Sequence, residues 1–149
     1  MTLGPGRTGG EIISRSQAET VAFGKEFSRK LMRGDVVAMY GDLGSGKTHF
    51  VKGVCEGVGI HANVTSPTFT ILNEYFDGSL PIFHFDCYRL RSSADLDEIG
   101  FDEYIYDNGV CLVEWADVIQ EKLPARRYNI SLRLGSTRDV RIIRIERSE

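Results

Sequence analysis

Several features that would place this chain in a familiar class are scarce or missing. It has three cysteines, Cys55, Cys87 and Cys111, far apart and in no CxxC pair, so neither a zinc site nor a disulfide framework is indicated and buried thiols are expected. No apolar run approaches the roughly 20 residues of a membrane span. The N-terminal "MTLGPGRTGG" lacks the apolar centre of a secretory signal, so residues 1–12 read as a flexible glycine-rich arm and residues 13–149 as a single domain, with the cytoplasm as the default location. A net charge of -3 argues against coating nucleic acid by bulk electrostatics. There is no NKxD sequence for guanine, which disfavours a small GTPase.

What the chain does contain is ordinary in amount and uneven in placement. Apolar residues make up 42% and charged residues 26% of 149, enough for one real core. From Asp86 to Glu121, ten acids stand against two arginines; from Arg126 onward, seven arginines stand against three acids. Such a split suits either solvated faces or a polarised docking surface.

Order along the chain points to an α/β fold. Ser16 and Glu19 have capping-box spacing, and Phe23, Phe27 and Leu31 recur at fours, predicting a helix that Gly34 ends. "VVAMY", 36–40, reads as a strand covered on both faces, and a second helix from Thr48 turns Val51, Val54 and Cys55 inward. "TSPTFTILNEY", "LPIFHFDCYRL" and "GVCLVEW" read as further strands, and "SADLDEIGFDEYI" as short helices with Ser93 as a cap. The end, "YNISLRL", "GSTR" and "DVRIIRI", predicts an antiparallel hairpin. Alternating strands and helices imply a mainly parallel central sheet with helices on both faces, made mixed by that hairpin.

"GDLGSGKT", Gly41 to Thr48, matches the phosphate-loop pattern GxxxxGK[ST], behind a strand and ahead of a helix as the motif requires. Glycines let successive backbone N–H groups face a polyphosphate, and the helix adds its positive N-terminal end. Lys47 supplies a full charge, and the Thr48 hydroxyl suits Mg²⁺. Glu114 ends a hydrophobic strand, where a carboxylate can serve the metal or polarise water. His84 and Asp86 share a strand face; Asp86 can hold a metal-bound water, and His84 reads more readily as a hydrogen-bonded structural histidine. Trp115 is either core or a purine neighbour. Thr65, Ser66 and Thr68, around Pro67, occupy the place of a nucleotide switch segment or a plain turn.

Taken in order, "GDLGSGKT", "SPTFT", "HFDCYRL", "EIGFDEYI" and "CLVEWAD" make the chain resemble the TsaE (YjeE) family of bacterial ATPases over roughly residues 14–144. The resemblance implies a Mg²⁺-dependent ATPase in tRNA threonylcarbamoyladenosine modification. It implies action with TsaB and TsaD proteins, reaching tRNA through that complex. By the same resemblance Leu43, Gly44, Ser45, Gly46, Lys47 and Thr48 bind ATP phosphates, Thr48 and Glu114 serve Mg²⁺, Asp86 matters for hydrolysis, Thr68 belongs to a switch segment and Trp115 lies near the nucleotide. Ser16 or Gln17 and Arg138 are carried over as neighbours of the base or ribose. His49, and "EWAD" with no proline after its Trp, depart from the family pattern without touching a metal ligand. No arginine finger is assigned; Arg89 is a candidate in cis. Two rival readings remain, a small-molecule kinase and a nucleotide-gated binding module. The acidic segment where a kinase would carry an arginine-bearing lid speaks against the first.

Overall fold

The structure, a computed structural model, describes residues 10–42, 44–61, 63–64, 71–92, 94–105 and 108–148. Leu43, Thr65, Ser66, Thr68 and the Ser93 cap lie outside the described residues.

Seven strands form one sheet among these residues. They are β1 (Glu11–Ser14), β2 (Val36–Tyr40), β3 (Leu72–Tyr75), β4 (Ile82–Asp86), β5 (Val110–Glu114), β6 (Arg127–Leu134) and β7 (Arg141–Ser148), in the spatial order β1-β7-β6-β2-β5-β4-β3. The three central pairings, β6 with β2, β2 with β5 and β5 with β4, are parallel. The outer pairings, β1 with β7, β7 with β6 and β4 with β3, are antiparallel. The α/β phosphate-loop fold expected from element order is the one observed, and its parallel part is the centre. Strand β1 had no sequence signal beyond Ile12 and Ile13 and starts at Glu11, inside the stretch read as an arm.

Period-two alternation divides the core between the faces. Val37, Met39, Leu112, Ile130, Leu132 and Ile143 pack toward one side under α1 (Gln17–Phe27) and α2 (Lys47–Gly57). Val36, Ala38, Phe83, Phe85, Cys111 and Val113 pack toward the other, beneath α3 (Ala94–Asp97), α4 (Phe101–Ile105) and the 3₁₀ turns of Ala116–Lys122. Each fully buried Val, Leu, Ile or Phe contributes about 1.5–3 kcal/mol, so both layers help hold the central strands.

The first helix differs from expectation. It ends at Phe27 and tightens into a 3₁₀ turn at Ser28–Lys30, well before Gly34. Its buried residues are Thr20, Gly24 and Phe27, with Phe23 only partly covered. Small residues make this seam. A Cβ at Gly24 would lie 2.3 Å from the Phe50 carbonyl oxygen, and one at Gly53 would lie 1.9 Å from that of Val21. Backbone meets backbone there, so a row of large side chains would have held the two helices apart. Ser16 caps the helix as expected, accepting from the Glu19 N–H at 3.0 Å. Glu19 reaches back to the Arg15 N–H, one residue earlier than a capping box requires.

Candidate functional site

Three parallel strands and the loop after β2 converge at one edge of the sheet. In β4, His84 and Asp86 continue the row begun by Ile82; in β5, Glu114 continues the row of Leu112. The register pairs Asp86 with Glu114 and Met39 with Glu114, so both carboxylates arrive at the strand ends beside the loop leaving β2.

That loop turns sharply into α2 through Gly46, whose φ of 102° lies in the left-handed region favouring glycine. Gly44 has φ 81°, and a Cβ there would meet nothing within 4 Å, so the loop faces open space at this point. Ser45 is buried and Thr48 half-buried in the first turn of α2.

Lys47, the first residue of α2, is only 5% exposed. Its ammonium donates to the carbonyl of Gly41, to that of Asp42 at 3.1 Å and to Ser45 Oγ at 3.5 Å. The same Nζ lies 4.1 Å from the centroid of the Trp115 ring, a cation–π contact. Burial pulls the lysine pKa below its ordinary value, and the negative charges of Glu114, Asp86, Asp42 and Asp117 oppose that shift.

Asp86 keeps some access to solvent and accepts the backbone N–H of Tyr88 at 3.0 Å. Burial pushes its carboxyl above the usual range; the Tyr88 N–H opposes this and the neighbouring Glu114 charge adds to it. Glu114 is 2% exposed, and its Oε2 lies 2.5 Å from Nε2 of the fully buried His84. The partner of His84 is therefore Glu114 and not Asp86, the residue with which it shares a strand face in sequence. Adjacent parallel strands bring the two together across 30 residues, a proximity no spacing rule conveys.

Trp115 turns the chain out of β5 with φ 57° and ψ 43°, the one non-glycine residue with positive φ among those described. A bulky side chain held in that conformation costs of order 1–3 kcal/mol and persists only where its surroundings over-determine it. The ring meets that of Tyr88 in a tilted contact, centroids 4.8 Å apart, and the Lys47 ammonium lies over it, so this tryptophan belongs to the site edge as much as to the core. Tyr88 was not singled out by sequence reasoning, although "DCYR" places it two residues after Asp86.

The carried-over positions near the base or ribose are placed less directly. Ser16 has its hydroxyl engaged in capping, and Gln17 is exposed. Thr20, one turn further on, lies against the glycine loop, with its Cγ2 3.7 Å from where a Cβ of Gly46 would stand. Arg138 is exposed and its carbonyl accepts from Arg141. Arg141, which sequence reasoning passed over, donates through Nε to the Gly44 carbonyl at 3.1 Å. Arg89 is exposed and forms no hydrogen bond or ion pair among the described residues.

Thr48, Asp86 and Glu114 offer hard oxygen donors of the kind Mg²⁺ takes. No group of three or more His, Cys, Asp and Glu among the described residues could hold a metal unaided. A cation here would complete its shell with water and ligand oxygens, which is the habit of Mg²⁺ with phosphates. The loop, the ammonium and the carboxylates thus meet at the carboxyl ends of the parallel strands.

Fold and site together define an α/β protein of the phosphate-loop class. The profile described as "Threonylcarbamoyl adenosine biosynthesis protein TsaE" matches residues 14–142, and the chain belongs to the TsaE family. The tRNA threonylcarbamoyladenosine biosynthesis protein TsaE of Bacillus subtilis is 49% identical over 115 residues, covering 77% of this chain and 72% of that protein. Its counterpart in Treponema pallidum is 44% identical over 122 residues, covering 82% of this chain and 90% of that protein. Among solved structures, Bacillus subtilis YdiB superposes with a TM-score of 0.83 at 40% identity, covering 95% of this chain and 86% of the other. No helix among the described residues is long and apolar enough to cross a membrane.

Proposed function

We propose that this protein binds ATP with Mg²⁺ at the glycine loop and hydrolyses it slowly. On this reading it works in the cytoplasm, in tRNA threonylcarbamoyladenosine biosynthesis, with TsaB and TsaD relatives as partners and tRNA met through their complex. The family and the names of its members support the pathway. The observation that carries the chemistry is the meeting of Lys47, Asp86 and Glu114 beside a glycine loop with open space at Gly44.

The main-chain N–H groups from Gly44 to Thr48, the residue Leu43 before them and the N-terminus of α2 receive the phosphates. Lys47 exchanges the carbonyls of Gly41 and Asp42 for phosphate oxygens. Thr48 and Glu114 hold Mg²⁺, which when bound neutralises and orients the phosphate charge. Asp86, whose raised pKa keeps it a better proton acceptor than an ordinary carboxylate, orients the attacking water. Trp115, with Tyr88 behind it, offers an aromatic surface at the site edge, and Ser16 and Arg138 stand at its outer margin. Arg89 is the candidate finger in cis, and a partner donating or completing that charge would make turnover slow alone and faster in the complex.

ATP binding by calorimetry and hydrolysis with and without Mg²⁺, TsaB and TsaD test this together. Lys47→Ala should weaken ATP binding by about 10- to 100-fold, the loss of one charge-assisted contact. Glu114→Ala should lower Mg²⁺-dependent turnover more than binding. Absence of any adenine-nucleotide binding would end the proposal. Rapid hydrolysis by the isolated chain, unchanged by partners, would remove the coupling. A Glu114→Ala protein that binds ATP, does not hydrolyse it and still supports multi-turnover tRNA modification would favour a nucleotide-gated binding module.

A further inference from the structure

His84 is a polar ring at 0% exposure in the middle of the sheet, between Phe83 and Phe85 in sequence and beside Leu112 across the strand. Its Nδ1 is buried without a hydrogen-bond partner among the described residues. A buried polar atom left in that state is destabilising, which an apolar side chain at this position would avoid. The compensation must lie at the other nitrogen, 2.5 Å from Glu114 Oε2.

An ionised carboxylate can only accept, so Nε2 carries the proton and donates it. The contact therefore works in one direction: His84 holds Oε2 of Glu114. Oε1 accepts no hydrogen bond among the described residues and remains available. Glutamate has three side-chain torsions, and a carboxylate pinned through one oxygen presents the other in a set direction at lower entropic cost.

We infer that His84 is a positioning residue, which orients the Glu114 carboxylate toward the Mg²⁺ of a bound Mg–nucleotide. The inference rests on the Mg²⁺ role proposed above for Glu114. It assigns His84 no contact with the nucleotide.

The two amide side chains that overlap parts of imidazole separate this role from simple space filling. The Gln amide nitrogen corresponds to Nε2 and can still reach Oε2; the Asn amide nitrogen corresponds to Nδ1 and cannot. In the full chain with a nonhydrolysable ATP analogue, Mg²⁺ affinity is measured by calorimetry for wild type, His84→Asn, His84→Gln and Glu114→Gln, with far-UV circular dichroism reporting folding. His84→Asn should weaken Mg²⁺ affinity by about 10- to 100-fold, as outer-shell partners of metal ligands commonly do, while Mg²⁺-free nucleotide affinity stays unchanged. His84→Gln should return to within about threefold of wild type. Should His84→Asn fail to fold, His84→Leu takes its place with the same expectation. Wild-type Mg²⁺ affinity in His84→Asn beside a weakened Glu114→Gln overturns the positioning role alone, as do equal losses in the Asn and Gln variants. An unchanged Glu114→Gln overturns the Mg²⁺ role of Glu114 itself.

Discussion

Two regions of this molecule hold polar side chains in close pairs, and they differ in nearly everything else. At the carboxyl ends of β2, β4 and β5, Lys47, His84 and Glu114 are at most 5% exposed, and His84 meets Glu114 from a strand 30 residues away. On the C-terminal hairpin, Arg133 pairs with Glu11 and Arg144 with Glu146, all with 42% or more of the side chain exposed. Water screens the second set, so such pairs contribute about 0–1 kcal/mol, whereas breaking a buried pair costs about 3–5 kcal/mol. Net charge along the sequence distinguishes an acidic middle from a basic end. Burial decides which of these charges matter individually.

That contrast can be broken most forcefully from below, at the seam seating α2. Gly53→Ala would set a methyl 1.9 Å from the Val21 carbonyl oxygen, and neither backbone can yield without lifting the helix that carries Lys47. We expect a loss of about 3 kcal/mol in urea unfolding, the upper part of the overpacking range. A smaller effect tests burial by pH. Cys55 and Cys87 are buried thiols pushed from 9.0 up to about 12, chiefly by desolvation. A folded-state pKa raised in this way gives stability that is present below pH 9.0 and lost as pH rises toward about 12. At pH about 10.5 the share of one thiol is roughly 2 kcal/mol, so Cys87→Ala should show that much less alkaline loss than wild type in denaturant titrations. The exposed hairpin supplies the smallest effect: Arg133→Ala should change stability by less than about 0.5 kcal/mol, less still in high salt. A loss above about 2 kcal/mol there would show that the hairpin pairs are not merely solvated.

Much of the site was legible because its parts are local. Gly41 to Thr48 is a contiguous motif, and the strand before it and helix after it follow from patterns within a dozen residues. Glu114 could be singled out because a carboxylate ending an apolar strand conflicts with its neighbours. The pairing of His84 with Glu114 could not be read, since it depends on β4 and β5 lying side by side in one register. Arg141 escaped for a similar reason: among seven C-terminal arginines, only packing of the hairpin against the glycine loop selects it. The fours-spaced Phe23, Phe27 and Leu31 predict a longer helix than the observed one: Phe27 and Leu31 are buried, but Leu31 lies past the 3₁₀ turn and Gly24, not Phe23, faces the seam with α2.

By itself, the order of residues determined the class of fold and the phosphate-loop turn, since both arise from short-range constraints: side-chain periodicity, the backbone freedom of glycine, and the N–H groups at a helix start. Which buried groups face one another was decided only when the sheet assembled. Strand register and exclusion of water act between segments tens of residues apart, and it is exclusion of water that turns His84, Glu114 and Lys47 from separate polar residues into one electrostatic unit.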